Sequence, residues 1–448
     1  MSHRFARTAA EDPILPATIA TRTARVADAT MEACWLAAAL LVPLRVELLS
    51  VLPYAAPRVW LLRSLAAVAV MAAMASLLAV PVERRSLRDA LRHPIAAAAL
   101  ALLLIASLST ALSVAPYDSL WGSWGRRGGL ATLSAVMALG ALLAWKLRTI
   151  SQWRRLRDAV IAAGIVGAVH ALAQSVGIDP LQLSEWRRPD GLAGNPIFLS
   201  AWLLLPTALA AERLAEARAR SARRPLLAMG ILLLLVAGTL VTQSRGPLLG
   251  LGAGWIAWLL AVRGPATRPG RARRLRTTAA VLLAAALLAA IGLTAFGGRE
   301  GSMRASLGRI FQPVNAERGT VRVRLAIWQS GRLDASIGPR LPAGARRWVG
   351  WGPETLQGVI PSYQGTELAR LEGARRVADR AHNGFLDALA TTGSAGLLAL
   401  AALYAMVLRA GVTSARNAAP GALRVLVAGA AATAGLGLAL GLGLQWFG

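Results

Sequence analysis

The sequence predicts an all-α polytopic integral membrane protein. Three observations carry that prediction: the composition, the length of the apolar runs and the placement of the basic residues. Of 448 residues, 56% are hydrophobic and 16% charged, and the mean hydropathy is +0.52. A soluble domain has about 45–50% apolar and about 25% charged residues. The apolar residues fall in unbroken runs of roughly twenty, long enough to cross a hydrocarbon core of about 30 Å. Arginine clusters lie between these runs in every second connection, as the positive-inside rule requires of cytoplasmic loops.

Taken in order, residues 1–30 are polar and mixed in charge, without the apolar core of a cleavable signal, and read as a cytoplasmic tail. Apolar spans follow at about 31–53, 61–81, 94–113, 129–146, 158–176, 196–211, 225–243, 247–262 and 277–297, a transmembrane bundle of about nine helices over 31–297. A long loop occupies 298–383. Two further spans, 384–408 and 425–446, lie in a C-terminal membrane segment, 384–448, for about eleven transmembrane helices in all. The Arg-dense segments 82–93, 146–157, 212–224 and 263–276 are placed in the cytoplasm. The alternate connections and the long loop are then extracytoplasmic. The Arg content of that loop does not oppose this, because segments beyond about 60 residues translocate regardless of charge.

Lys plus Arg total 49 against 22 Asp plus Glu, a formal net charge of +27, and Lys146 is the single lysine. Because the arginines sit in short clusters between apolar spans, topology accounts for the charge and nucleic acid is excluded as a partner. One cysteine, Cys34, rules out an intrachain disulfide and a cysteine zinc site. The four histidines are scattered, which argues against a histidine metal cluster, so no metal or other cofactor is expected.

Some ionisable residues fall within the expected spans. Arg45 and Glu47 lie in the first and, being two apart, would not face each other on a helix; they are expected to pair elsewhere or to snorkel. His170, in the fifth, is read as hydrogen-bonded to a neighbouring helix, with catalysis as the less favoured reading.

The polar segments expected on the outer side carry the chemistry. Residues 109–130 bring Trp121, Trp124, Arg126 and Arg127 to the mouth of two helices, where interfacial tryptophan is common. Residues 185–206 hold Arg187, Arg188, Asp190 and a Gly-Asn-Pro turn; Asn195 serves there either as a plain helix cap or as part of an anion seat. Residues 240–255 place Thr242, Gln243, Ser244 and Arg245 in a tight hairpin, a group of donors without an acidic partner that suits an anionic ligand. In the long loop, Arg322 and Arg324 head an interfacial helix, Gly350, Gly352 and Pro353 open a short helix with Glu354 in its first turn, and Asp379, Arg380 and His382 precede the next span, with Asn383 as its cap. His382 is the one histidine of the outer loops.

The stretches WGSWGRRGGL, RPDGLAGNPIFLSAWLLLP, TQSRGPLLGL, RLAIWQS, VGWGPETLQGVIPSYQ and DRAHNGFLDALATTGSAGLLAL, spread over residues 109–400, resemble in order and placement the O-antigen ligase and Wzy-type polymerase-like membrane proteins. The resemblance implies a GT-C-like helical fold in a bacterial inner membrane, with a site facing the periplasm. It implies a glycan donor on an undecaprenyl diphosphate carrier and a lipid, glycan or protein acceptor. Transferred residue by residue, it implies that Arg188 and Arg245 bind the diphosphate and that Arg322 or Arg324 binds the donor, with Arg127 in the same substrate-binding group, and that His382, as the base, and Arg380 are the catalytic residues.

The residues themselves fit that chemistry. Transfer from a diphosphate carrier needs a stabilised leaving group and a proton acceptor; Arg makes bidentate phosphate contacts and His accepts a proton near neutral pH. Neither task requires a metal. A transporter or flippase of a lipid-linked or anionic substrate is the chief alternative; repeats and broken helices, which carriers usually show, are not evident in the sequence.

Overall fold

The computed structural model describes residues 19–182, 188–218, 224–244, 246–248, 250–251, 320–331, 346–363, 365–373 and 377–417. Its regular elements are all helical: α1 (Ile19–Leu41), α2 (Ala55–Ala79), α3 (Pro81–Leu91), α4 (Pro94–Ala111), α5 (Pro116–Trp121), α6 (Leu130–Lys146), α7 (Ile150–Ser175), α8 (Pro196–Arg218), α9 (Arg224–Val241), α10 (Thr320–Gly331), α11 (Arg346–Val349), α12 (Leu356–Val359), a 3₁₀ turn (Ile360–Tyr363), α13 (Thr366–Glu372) and α14 (Gly384–Asn417). Among the described residues five helices are long and apolar enough to cross a membrane, at Ala55–Ala79, Pro94–Ala111, Ile150–Ser175, Pro196–Leu214 and Gly384–Gly411, and apolar stretches at Leu130–Lys146 and Pro225–Val241 are slightly shorter. The chain is a helical, multi-span membrane protein. The spans expected at 277–297 and 425–446, and most of 247–262, lie outside the described residues.

Local sequence sets the helix boundaries. Pro94 and Pro196 stand at first helical positions, where the missing N–H costs nothing, behind His93 and Asn195, whose side chains accept from Ile95 N (3.3 Å) and Ile197 N (2.8 Å). Thr149 and Gln152 form a reciprocal capping box that starts α7.

The first expected span is corrected. The helix runs over Ile19–Leu41, and the chain around Arg45 and Glu47 is irregular. Pro43 cannot continue a helix, so the apolar stretch beyond it is released from helical geometry. Freed from it, Arg45 and Glu47 pair with each other at 2.8 Å despite their spacing.

Two apolar clusters hold the bundle. Val160, Ile161, Leu199, Leu203, Leu232 and Leu235 join α7, α8 and α9. Met31, Trp35, Ala69, Leu139 and Trp145 join α1, α2 and α6. At one end of the bundle the basic segments meet acidic partners and a hydroxyl: Lys146 with Asp28 (2.7 Å), Arg155 with Glu32 (2.7 Å), Arg157 with Glu216 (2.7 Å), and Arg148 with Ser86 (2.6 Å). Arg157 and Glu212 are both buried there. Three of the Arg-dense segments therefore share an end. The His170 expectation is also corrected: its Nε2 lies 3.8 Å from Asp179, in the turn after its own helix.

α14 packs along α4 and contains a break. Gly393 adopts φ 70° and ψ −172° inside it. A break releases backbone carbonyls that apolar surroundings cannot satisfy. Segment 350–352 supplies the donors: Trp351 N to Ala390 O (3.0 Å) and Gly352 N to Thr391 O (2.9 Å), with the Ser109 hydroxyl donating to Thr391 O (2.8 Å). Nothing in the sequence signals this broken helix, because a glycine amid small residues does not announce its φ.

Candidate functional site

At the other end of the bundle, three segments far apart in sequence meet. The first is the 122–129 loop, tied down by α2. Arg63 donates to Trp121 O (2.8 Å), Arg127 O (3.1 Å) and the Thr132 hydroxyl (2.7 Å). Gly122, at φ 89°, lets the loop fold onto itself: a Cβ there would sit 2.2 Å from the Arg127 carbonyl carbon. Arg127 lies over the exposed Trp124 ring, 4.6 Å from its centroid.

The second is the long loop, whose described part has its own apolar core of Ile327, Leu356, Ile360, Leu368, Ala381 and Ala390. Helix α10 forms as expected, and it separates the two arginines. Arg322 turns to Glu367 at 2.7 Å, whereas Arg324 is buried. Glu354 is not in a helical first turn. It precedes α12 with φ 61°, and its nearly buried carboxylate accepts from the Ser123 hydroxyl (2.7 Å) and pairs with Arg380. Gly128 makes room for it, since a Cβ there would lie 2.8 Å from Glu354 Oε1.

The third is the approach to α14. Asn383 caps the helix as expected, its side chain accepting from Phe385 N (3.0 Å) and Leu386 N (3.3 Å). Residues 379–382 form a bent, non-helical segment, with His382 at φ 52°, so Asp379 does not stand one helical turn from the imidazole. Its carboxylate is taken by Arg126 in a direct ion pair. Trp328 Nε1 donates to Ala381 O (2.6 Å), and Asp387 Oδ1 accepts from Ala381 N (2.8 Å).

The electrostatics of the half-buried His382 follow from this company. Burial, then Arg324, with Arg126 and Arg380 behind, push the imidazole below its ordinary value; Asp379 opposes them and loses. Asp379 does pull the imidazole up, but burial and the three guanidiniums outweigh it. Burial alone would raise the Asp379 carboxyl, but the hydrogen bond and charge of Arg126 hold it below the usual range. Burial lowers the Arg324 guanidinium to about 10, which leaves it charged at neutral pH. His382 thus stands among the guanidiniums of Arg324, Arg126 and Arg380 with the Asp379 carboxylate beside it, in surroundings that favour the neutral imidazole.

Arg324 and Arg380 are brought together with His382, joined by Arg126; Arg127 lies in the adjoining 122–129 loop over Trp124, and Arg322 is turned away to Glu367. Arg188 forms a separate group, its guanidinium 3.5 Å from Gln243 O, so the 188–195 loop lies against the 242–244 turn. Within that turn the Thr242 hydroxyl donates to Thr239 O (2.8 Å), completing the end of α9. Arg245 and Arg187 lie outside the described residues. Arg58 of α2 reaches Arg45 O (3.0 Å) and Leu192 O, so the N-terminal part of α2 holds both groups, Arg58 one and Arg63 the other. Sequence reasoning passed over Arg58, Arg63 and Asp387. The signal was there: each is an ionisable residue within the first turns of an apolar helix, where charge is costly and functional. Compared with known proteins, the chain matches no protein-family model and no curated sequence.

Proposed function

We propose that this protein is a membrane glycosyltransferase of the O-antigen ligase or Wzy-polymerase type, moving a glycan from an undecaprenyl-diphosphate-linked donor to a lipid, glycan or protein acceptor. It acts at the outer face of a bacterial inner membrane. The observation that supports this most is the convergence of Arg126, Arg324 and Arg380 around one half-buried histidine at a single end of the bundle. In the reaction the acceptor hydroxyl gives its proton to His382 and its oxygen bonds to the anomeric carbon. The bond from that carbon to the diphosphate breaks, and the lipid diphosphate leaves with both electrons. Arginine suits the leaving group because its planar fork matches two phosphate oxygens and stays charged when partly desolvated. Arg188, which lies against the 242–244 turn, is assigned to the diphosphate as well, and Arg245 keeps the same role by the resemblance alone.

One observation favours the transporter reading: the break in α14, since carriers place substrate at discontinuous helices. The carbonyls freed there already accept from Trp351 N, Gly352 N and Ser109, so the break serves as a seat for the long loop. The deciding experiment gives purified protein a lipid-linked oligosaccharide with each class of acceptor and analyses the products. A glycan on an acceptor, with release of lipid diphosphate, is expected. Movement of labelled lipid-linked glycan across liposomes, without transfer to any acceptor, would replace this reading with transport.

A further inference from the structure

We infer that Asp387 and Trp328 are positioning residues that set His382 by gripping the peptide units of Ala381 from two sides. The inference rests on the transferase reading for the reaction, though not for the geometry. Asp387 is the fourth residue of α14 and is buried. Its Oδ1 accepts the Ala381 N–H at 2.8 Å, and its Oδ2 is enclosed without a hydrogen-bond partner among the described residues. From the other side, the indole of Trp328 donates to Ala381 O at 2.6 Å. Ala381 itself is fully buried, so neither backbone group has water as a substitute partner. The next residue is His382, held at φ 52°, a conformation that side chains other than glycine's seldom adopt and keep only where surrounding contacts enforce it.

The arrangement explains why an ionisable group stands in the first turn of an apolar helix, where a carboxylate is expensive. As an N-terminal carboxylate it faces the positive end of the helix, and Arg380 and Arg126 lie within electrostatic reach. The grip needs an oxygen acceptor at this position, and the charge is secondary. That separates positioning from proton transfer, because an amide oxygen can accept the Ala381 N–H but cannot take a proton from a substrate.

The test compares D387N, D387A and W328F, each purified whole, with two readouts. One is transfer from a lipid-linked oligosaccharide. The other is the rate at which diethylpyrocarbonate modifies His382 at neutral pH, followed on the His382 peptide with the exposed His93 as internal reference, and it needs no activity. D387A is expected to lose about a hundredfold in kcat, the cost of misplacing a reacting group by about 1 Å, with KM for the donor little changed. Its His382 should be modified at least about fivefold faster relative to His93, since the loosened turn exposes the ring. D387N, with an oxygen in the acceptor's place, should restore most of what D387A loses in both readouts, and W328F should shift His382 modification in the same direction as D387A. The inference is overturned if D387N is as defective as D387A, which would make the carboxylate itself necessary, or if neither D387A nor W328F alters His382 modification. Should D387A not fold, the inference holds if D387N keeps His382 modification near the wild-type rate while W328F raises it, and it is overturned by any other result. Absence of transfer in the wild type would count against the transferase reading alone, because the modification rates stand apart from it.

Discussion

In the proposed reaction the chemistry falls on His382, a side chain whose surroundings favour its neutral form. A protonated imidazole cannot accept a proton, so the rate should fall on the acid side of its pKa. Because burial and the nearby Arg324 lower that pKa, kcat/KM should hold down through about 6.5, the ordinary imidazole value, and fall only below it. Arg324→Gln removes a cation that opposes protonation, so the acid limb should move to higher pH whatever happens to donor affinity; an unmoved limb would separate Arg324 from the base. His382→Ala should cost about 10²–10⁴ in kcat with donor binding retained, and more than a tenth of wild-type turnover remaining would return the histidine to a structural role. Arg324 and Arg322 also mark what sequence can and cannot resolve. Both were legible as basic residues of one helix, but only the fold of the loop decides that Arg324 faces the histidine and Arg322 faces Glu367.

At the scale of elements, the break in α14 holds the long loop on the bundle. Gly393 and Gly350, both at φ 70°, let two backbones cross with no room for side chains: a Cβ on Gly393 would lie 2.2 Å from the Trp348 carbonyl carbon, and one on Gly350 would lie 2.4 Å from the Thr391 carbonyl. Gly393→Ala should therefore lower stability by at least about 1–3 kcal/mol, the ordinary cost of a disfavoured backbone conformation, with the clash added. Thermal unfolding in detergent measures this, and an unchanged midpoint would show that the crossing is slack. The helix starts were legible because caps and prolines act over three or four residues, as at Asn195, Asn383 and Pro196. The first span was misplaced for the same kind of local reason: hydropathy runs on past Pro43, but the helix does not.

For the molecule as a whole, the basic segments around Ser86, Arg148 and Arg157 gather at one end and the segments around Arg127, Glu354 and His382 at the other. If the first end is cytoplasmic, as loop charge implies, impermeant maleimide applied to spheroplasts of a Cys34→Ala background should label a cysteine in place of the exposed Thr366 and spare one in place of the exposed Asp89. Labelling of Asp89→Cys alone would invert the orientation and turn the proposed site away from a periplasmic acceptor.

The sequence by itself determined the class of molecule. A bilayer demands long apolar helices, and it spaces basic residues between them, so both features are written in composition and order and need no knowledge of contacts. The same holds for the polar segments between spans that carry arginine and histidine. Only the tertiary structure decided which of those residues share a site. Arg126 meets Asp379, Glu354 joins Ser123 to Arg380, and Asp387 grips the turn before His382 through contacts that span from six to more than two hundred residues of chain. No periodicity encodes such pairings, because they are fixed by how loops settle on helix ends, where each buried polar group must find a partner from whichever segment arrives.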